Sequence, residues 1–290
     1  MRTGVFHETH LAEERLWDSP TKRGWIAILV VIVAALPLYG SDYALAMACI
    51  VGIHIVAILG LNITTGSAGL ISLSHAAFLG VGCYCIAWMS RWGVPFFIAL
   101  PVAGLVTAAV GIVVGVPSLR VKGLYLAIAT LAAHFVLTFV FREWTPVTGG
   151  MNGIRIIRPN LFGWELTGDR RIFYLIFACV GLMALASANL SRSYLGRAFI
   201  AVRDRDISAE ILGVNLLRTK LLAFALGAFY AGVAGGLLGY FYNAITPEYF
   251  TLTLSIFYLA AIIAGGLDRT LGSVLGAIFM TFVPEALRLL

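Results

Sequence analysis

The chain has 290 residues, 60% of them hydrophobic and only 12% charged, with a mean hydropathy of +0.95. A water-soluble domain of this length carries about twice as much charge on its surface, so the composition excludes one. The net charge of +6 does not indicate nucleic acid, because surplus Lys and Arg in a membrane chain belong to cytoplasmic loops.

The apolar stretches are long and continuous, without the short alternating segments of a β-barrel. In hydrocarbon a helix meets the hydrogen-bonding needs of its own backbone. The fold class expected is therefore an all-α polytopic membrane protein. Residues 1–23 carry both signs of charge and no cleavage signature, which predicts a cytoplasmic tail and no signal peptide. One transmembrane domain is expected over 24–290.

With roughly 20 apolar residues per crossing, about nine spans are predicted: 24–40, 43–64, 67–90, 94–116, 123–141, 172–190, 220–243, 253–267 and 272–290. The last reaches Leu290 without a polar tail, which reads as a fragment or as a bundle one helix short. A cytoplasmic N-terminus places 13 Lys and Arg residues inside and 6 outside, the asymmetry expected of that orientation.

The third span is interrupted by "GLISLSHAAFLG", Gly69–Gly80. On a helix Ser72 and Ser74 stand about 200° apart, and Ser74 and His75 about 100°. They share a face only if the helix breaks near Gly69, so a discontinuous or re-entrant segment is expected at 66–76. Two readings stay open for Ser72, Ser74 and His75. They line a polar path through the bilayer, or they bond back to carbonyls and neighbouring helices.

No G-x-x-x-x-G-K-[ST] loop is present, so the chain does not itself cradle nucleotide phosphates. No acidic residue falls in the middle of a span; Asp42, Asp268 and Glu285 sit toward span ends. That weighs against a self-powered carrier, which keeps an ionisable group in the membrane. His54, His75 and His134 fall on three different spans, and Cys49, Cys83, Cys85 and Cys179 lie within apolar runs. Neither set has metal-ligand spacing, and no cofactor is expected.

Small residues recur every fourth position at Gly227, Ala231, Gly235 and Gly239, and again at Gly232–Gly236, Gly111–Gly115 and Gly272–Gly276. Such faces let helix backbones approach closely. Packing within one subunit is the expected use; a subunit interface or a moving seam is the alternative.

Two polar connections stand out. The outer one, 142–171, is rich in turn formers. The inner one, 191–219, has amphipathic helical character and contains "GRAFIAVRDRDISAEILGVNLLRTK", Gly196–Lys220. Asp206 is expected as an N-cap, 207–212 as a short helix, Gly213 as its stop, and Asn215 as the start of the next helix. Arg203, Asp204, Arg205, Asp206 and Glu210 would then be exposed, on an ordinary loop or on a docking helix for a cytoplasmic partner.

This inner segment resembles the cytoplasmic coupling loop of bacterial branched-chain amino acid ABC-importer permeases of the LivM type. Gly196, Arg197, Ala198, Ala201, Arg203, Asp204, Ala209, Glu210, Gly213, Val214 and Lys220 match, and Ser208 replaces a usual alanine. The interrupted span is similar to a second family motif at Gly69, Ile71, Ser72, Leu73, His75, Ala76, Ala77, Phe78, Gly82 and Tyr84. Ser74 and Cys83 depart from it. "TGGMNGI", Thr148–Ile154, matches a third except at Met151, and "GGLDRTLGSVLGA" a fourth.

The resemblance implies a permease subunit that is not itself an enzyme, in the bacterial inner membrane. Its expected partners are a second, LivH-type permease, two ATP-binding subunits, and a periplasmic solute-binding protein landing on 142–171. It implies branched-chain amino acids (Leu, Ile, Val) as solutes, although related permeases carry urea, short amides and aromatic acids. Candidates for a substrate path are Ser72, Ser74, His75, Tyr84, Thr148, Gly149 and Gly150. The ATPase coupling loop would use Gly196, Arg197, Arg203, Asp204, Asp206, Ala209, Glu210 and Gly213.

Overall fold

The computed structural model describes residues 36–37, 41–118, 121, 123–157, 160–161, 164–165 and 169–288. The chain divides after Leu45, and all contacts discussed lie in the second unit, Ala46–Leu290. The span expected at 24–40 falls outside the described residues apart from Leu36 and Pro37.

The long helices are α1 (Asp42–Leu61), α2 (His75–Arg91), α3 (Phe96–Ser118) and α4 (Leu124–Glu143). A single turn, α5 (Thr145–Thr148), opens the outer connection, and α6 (Asp169–Arg192) closes it. The inner connection holds α7 (Tyr194–Asp204) and α8 (Asp206–Ile211). Then come α9 (Leu216–Tyr242), α10 (Leu252–Gly265) and α11 (Thr270–Arg288). Among the described residues seven helices are long and apolar enough to cross a membrane. The fold is thus all-α and multi-pass; α2, at 17 residues, is not one of the seven.

Helix α9 is the centre of the bundle, buried without interruption from Tyr230 to Tyr240. Its small residues explain how three helices can close on it. Gly60 of α1 lies against Gly227 and Tyr230. Gly82 and Leu79 of α2 meet the backbones of Gly232 and Gly235, and Gly104 and Gly111 of α3 lie against Phe229 and Ala228. A β-carbon at Gly82, Gly232 or Gly235 would overlap the neighbouring helix. The gain is close van der Waals contact, which drives helix association where lipid removes the hydrophobic term. Gly227 and Gly239 face Thr64 and Cys83, and Ala231 is fully buried.

The same contacts give the helix directions. Residues 79 and 83 of α2 meet 235 and 239 of α9 in ascending order, so the two run parallel. Residues 60 and 64 meet 230 and 227, and 104, 111 and 115 meet 229, 228 and 221, so α1 and α3 run antiparallel to α9. Residues 62–74, the α3–α4 turn, 193–215 and the α10–α11 turn therefore share one end of the bundle. At the other end, β1 (Ile154–Arg155) pairs antiparallel with the strand Ala244–Ile245 that follows α9.

Candidate functional site

The first component is a break. After α1 the backbone widens into a π-helical turn, Asn62–Ser67, and from Ala68 to Ser74 it is not helical. Gly69 adopts φ +69°, a conformation natural to glycine. The chain then doubles back along α1 before α2 begins. His75 Nε2 donates to the Ala57 carbonyl at 2.7 Å, ten residues before the π-turn ends at Ser67.

A residue-by-residue set of hydrogen bonds holds this doubled-back segment. Leu70 N donates to Thr64 O at 2.9 Å and Thr65 Oγ1 to Leu70 O at 3.1 Å. Leu73 N donates to Thr130 Oγ1 of α4 at 3.0 Å, and Ala76 N to Ser255 Oγ of α10 at 2.9 Å. Ser72 Oγ and Ser74 Oγ bond each other at 3.2 Å. All three predicted polar residues are buried, Ser72 at 2%, Ser74 at 0% and His75 at 1% exposure. Tyr258 stacks edge-on against the His75 ring and bonds His54 Nδ1 at 2.9 Å.

Tyr84 lies about 14 Å farther along α2. Its ring packs between Phe141 and Phe250, and its buried hydroxyl has no hydrogen-bond partner among the described residues. Thr148, Gly149 and Gly150 are at the far end, outside this cluster. There Thr148 Oγ1 donates to Trp144 O and accepts from Gly150 N. Gly149 and Gly150 take φ +74° and +59°. The three form the turn that stops the helix and turns the chain toward β1.

The second component is the inner loop. Ser193 caps α7 by accepting from Gly196 N at 3.3 Å, and Asn215 caps α9 by accepting from Arg218 N at 3.0 Å. Gly196 has no room for a side chain beside the Leu190 and Ser191 carbonyls, and Arg197 donates to Arg192 O at 2.8 Å. α8 ends in a Schellman motif: Gly213 N bonds Glu210 O, Val214 N bonds Ala209 O, and Gly213 takes φ +87°.

The expected cap at Asp206 is corrected: Arg205 is the cap position, and Asp206 is the first helical residue. Its carboxylate is turned instead to Lys220 Nζ of α9 at 2.9 Å, both side chains mostly buried. Arg203, Asp204, Arg205 and Glu210 are exposed as expected, and only Asp206 departs, being half-buried. The Arg203 head group also reaches back to the end of α1.

Arg203 joins the two components. Its guanidinium donates to Gly66 O at 2.7 Å and pairs with Asp268 Oδ2 at 3.2 Å. Asp268 in turn accepts from Ser67 Oγ at 2.8 Å, and its N–H donates to Asn62 Oδ1 at 2.8 Å. A helix end leaves carbonyls without partners and a partial negative charge. Arg203 answers both at Gly66, and Asp268 balances the cation. Next to this junction is a cleft of about 550 Å³ lined by Gly69, Leu70, Gly123, Arg203, Asp206 and Lys220, among others.

Sequence reading did not assign roles to Asn62, Ser67, Thr130, Ser255 and Asp268. The available signal was polarity inside or at the edge of apolar runs, which marks residues that need partners without naming them.

Seven helices long and apolar enough to cross a membrane, with a polar loop clasped to the α1–α2 connection, define a multi-pass helical membrane protein. The family model described as branched-chain amino acid transport system, permease component, matches residues 43–290, and the chain belongs to that family. It is 35% identical over 289 residues to the high-affinity branched-chain amino acid transport system permease protein LivM of Salmonella typhimurium. That match covers 91% of this chain and 68% of the relative. It is 34% identical to the protein of the same name in Escherichia coli K12, with the same coverage. To a probable branched-chain amino acid transport permease protein LivH of Methanocaldococcus jannaschii it is 27% identical, over 79% of this chain and 75% of that protein. No solved structure matches.

Proposed function

We propose that this chain is the LivM-type permease of an ABC importer for leucine, isoleucine and valine in a bacterial inner membrane, with its N-terminus in the cytoplasm. It pairs with a LivH-type permease, and two ATP-binding subunits dock beneath. A periplasmic binding protein delivers solute to the outer connection. The solute assignment follows the two LivM relatives. The cytoplasmic placement of the inner loop follows the distribution of Lys and Arg.

The observation that carries this reading is helix α8. It buries only Ala209, at 1% exposure, and presents Ile207, Ile211 and Leu212 at 73%, 81% and 81%. An apolar ridge on a loop beyond the crossing helices costs solubility unless a partner covers it. Glu210 and Arg205 beside it supply a polar rim, the usual anatomy of a docking surface.

The break supports the transport part of the reading. The His75 side chain meets α1 about 15 Å back from the end of its π-turn, so the non-helical residues 68–74 lie against α1. Non-helical backbone in a membrane is tolerated where it is buried in protein or lines a cavity. In this conformation Ser72, Ser74 and His75 are closed off and hydrogen-bonded, so the path opens there only when the segment moves. The Tyr84 hydroxyl, without a partner among the described residues, is a polar group placed to meet a solute on the way.

Glu210→Pro tests the coupling. Proline removes an N–H inside α8 and clashes with the preceding turn, a cost of about 3 kcal/mol confined to this small helix. The expected result in the reconstituted importer is normal assembly of the permease pair with uptake lost. Unchanged uptake would remove the docking role of α8.

A further inference from the structure

We infer that Arg203 and Asp268 form a mechanical link between the docking helix and the broken end of α1, so that uptake per ATP depends on this pair. The inference rests on the coupling role proposed for α8 and names the residues that pass its movement on. Arg203 stands three residues before α8, with only Asp204 and the extended residue Arg205 (φ −156°, ψ 106°) between them. A displacement of α8 therefore reaches the guanidinium across one flexible joint.

From Arg203 the connection divides. One bond goes to the carbonyl of Gly66, at the end of the π-turn, and another to Asp268, between α10 and α11. Its Nε also pairs with the adjacent Asp204 at 3.4 Å. Asp268 is held to the same π-turn by Ser67 and by Asn62, whose side chain is buried. Three segments distant in sequence thus meet in four polar contacts. Asp268 adopts φ +65°, a conformation that Asp tolerates better than most residues. Gly66 leaves no room for a β-carbon beside Asn62, and a β-carbon on Gly69 would lie 2.7 Å from Arg203 Cγ. The arginine stem is therefore packed against the first turn of the doubled-back segment while its head holds the turn before it.

A second tie, Lys220–Asp206 at 2.9 Å, anchors the start of α8 to α9. The docking helix is thus fastened both to the packed centre of the bundle and to the segment that has to move. The Lys220 tie provides a fulcrum, and the Arg203 tie carries the motion.

The test uses the complete importer in proteoliposomes, with binding protein present, and reads ATP hydrolysis and uptake together. Arg203→Met is expected to keep stimulated ATP hydrolysis within about twofold while uptake per ATP falls about tenfold, within the range of coupling between sites. Asp268→Asn is expected to lower the same ratio by a smaller factor. The double variant should be no worse than Arg203→Met, because both changes cut one connection.

An unchanged ratio in Arg203→Met, or effects of the two changes that multiply, overturns the proposal. If Arg203→Met fails to assemble, the shape-preserving Asp268→Asn decides, and an unchanged ratio there overturns it. Ile207→Asp with Ile211→Asp is run beside them. If that pair leaves hydrolysis and uptake unchanged, the docking reading itself fails. If it abolishes uptake while Arg203→Met does not lower the ratio, only the Arg203–Asp268 link fails.

Discussion

At the scale of single residues, His75 shows how a polar side chain is accommodated among apolar ones. Its Nε2–H meets a carbonyl of α1, and the Tyr258 ring covers one edge. His75→Ala removes that bond and leaves a gap, and is expected to destabilise the protein by about 1–3 kcal/mol, read as a lower thermal midpoint in detergent. Gly69 and Gly93 make a second comparison. They have nearly the same left-handed φ, +69° and +67°, but among the described residues only a β-carbon on Gly69 would meet a neighbour within 4 Å, the Arg203 stem. Alanine at either costs about 1–2 kcal/mol for the backbone; Gly69→Ala should cost measurably more in the same thermal assay. The polarity of Ser72, Ser74 and His75 was legible in the sequence. Their partners Ala57, Thr130 and Ser255 were not. A hydroxyl or imidazole in an apolar run announces that it must be satisfied, and only the fold brings up the group that satisfies it.

At the scale of elements, α9 sets the limit on what its neighbours can be. Gly235 faces the backbone of Leu79 with no space for a methyl group, whereas a β-carbon on Gly181 of α6 would meet no other element within 4 Å among the described residues. Gly235→Ala is expected to cost about 1–3 kcal/mol through overpacking, with a loss of folded yield in the membrane. Gly181→Ala should be neutral or stabilise by up to about 1 kcal/mol through helix propensity. If the two variants behave alike in thermal unfolding, close packing at α9 is not what constrains the position. The four-residue repeat of small residues was visible beforehand, because helical periodicity is local. Which stripe meets which helix was not, since one face of α9 is matched to α2 and the others to α1 and α3. Around the inner loop, the Asn215 start and the Gly213 stop were readable from cap chemistry. Asp206 was misplaced by one position because its carboxylate is drawn away by Lys220, a residue 14 positions later.

At the scale of the whole molecule, the helix directions put the inner loop and the α10–α11 turn at one end, and the 149–157 turn at the other. Single-cysteine variants test which end faces the cytoplasm, with Cys49, Cys83, Cys85 and Cys179 replaced. Met151→Cys and Ile207→Cys sit at well-exposed positions, 58% and 73%. In spheroplasts an impermeant maleimide is expected to label Met151→Cys directly and Ile207→Cys only after permeabilisation. The reverse pattern would invert the proposed orientation and with it the docking role of α8.

Hydrophobicity, helical period and cap chemistry are properties of neighbours along the chain. The sequence alone therefore determined that the protein is a multi-pass helical bundle and roughly where many of its helices start and stop. The tertiary structure decided that α9 stands at the centre, that the α1–α2 connection doubles back as far as Ala57, and that Arg203 reaches Gly66 and Asp268. Each of those depends on groups up to about two hundred positions apart finding one another, and in an apolar medium an unmet polar group has no water to fall back on.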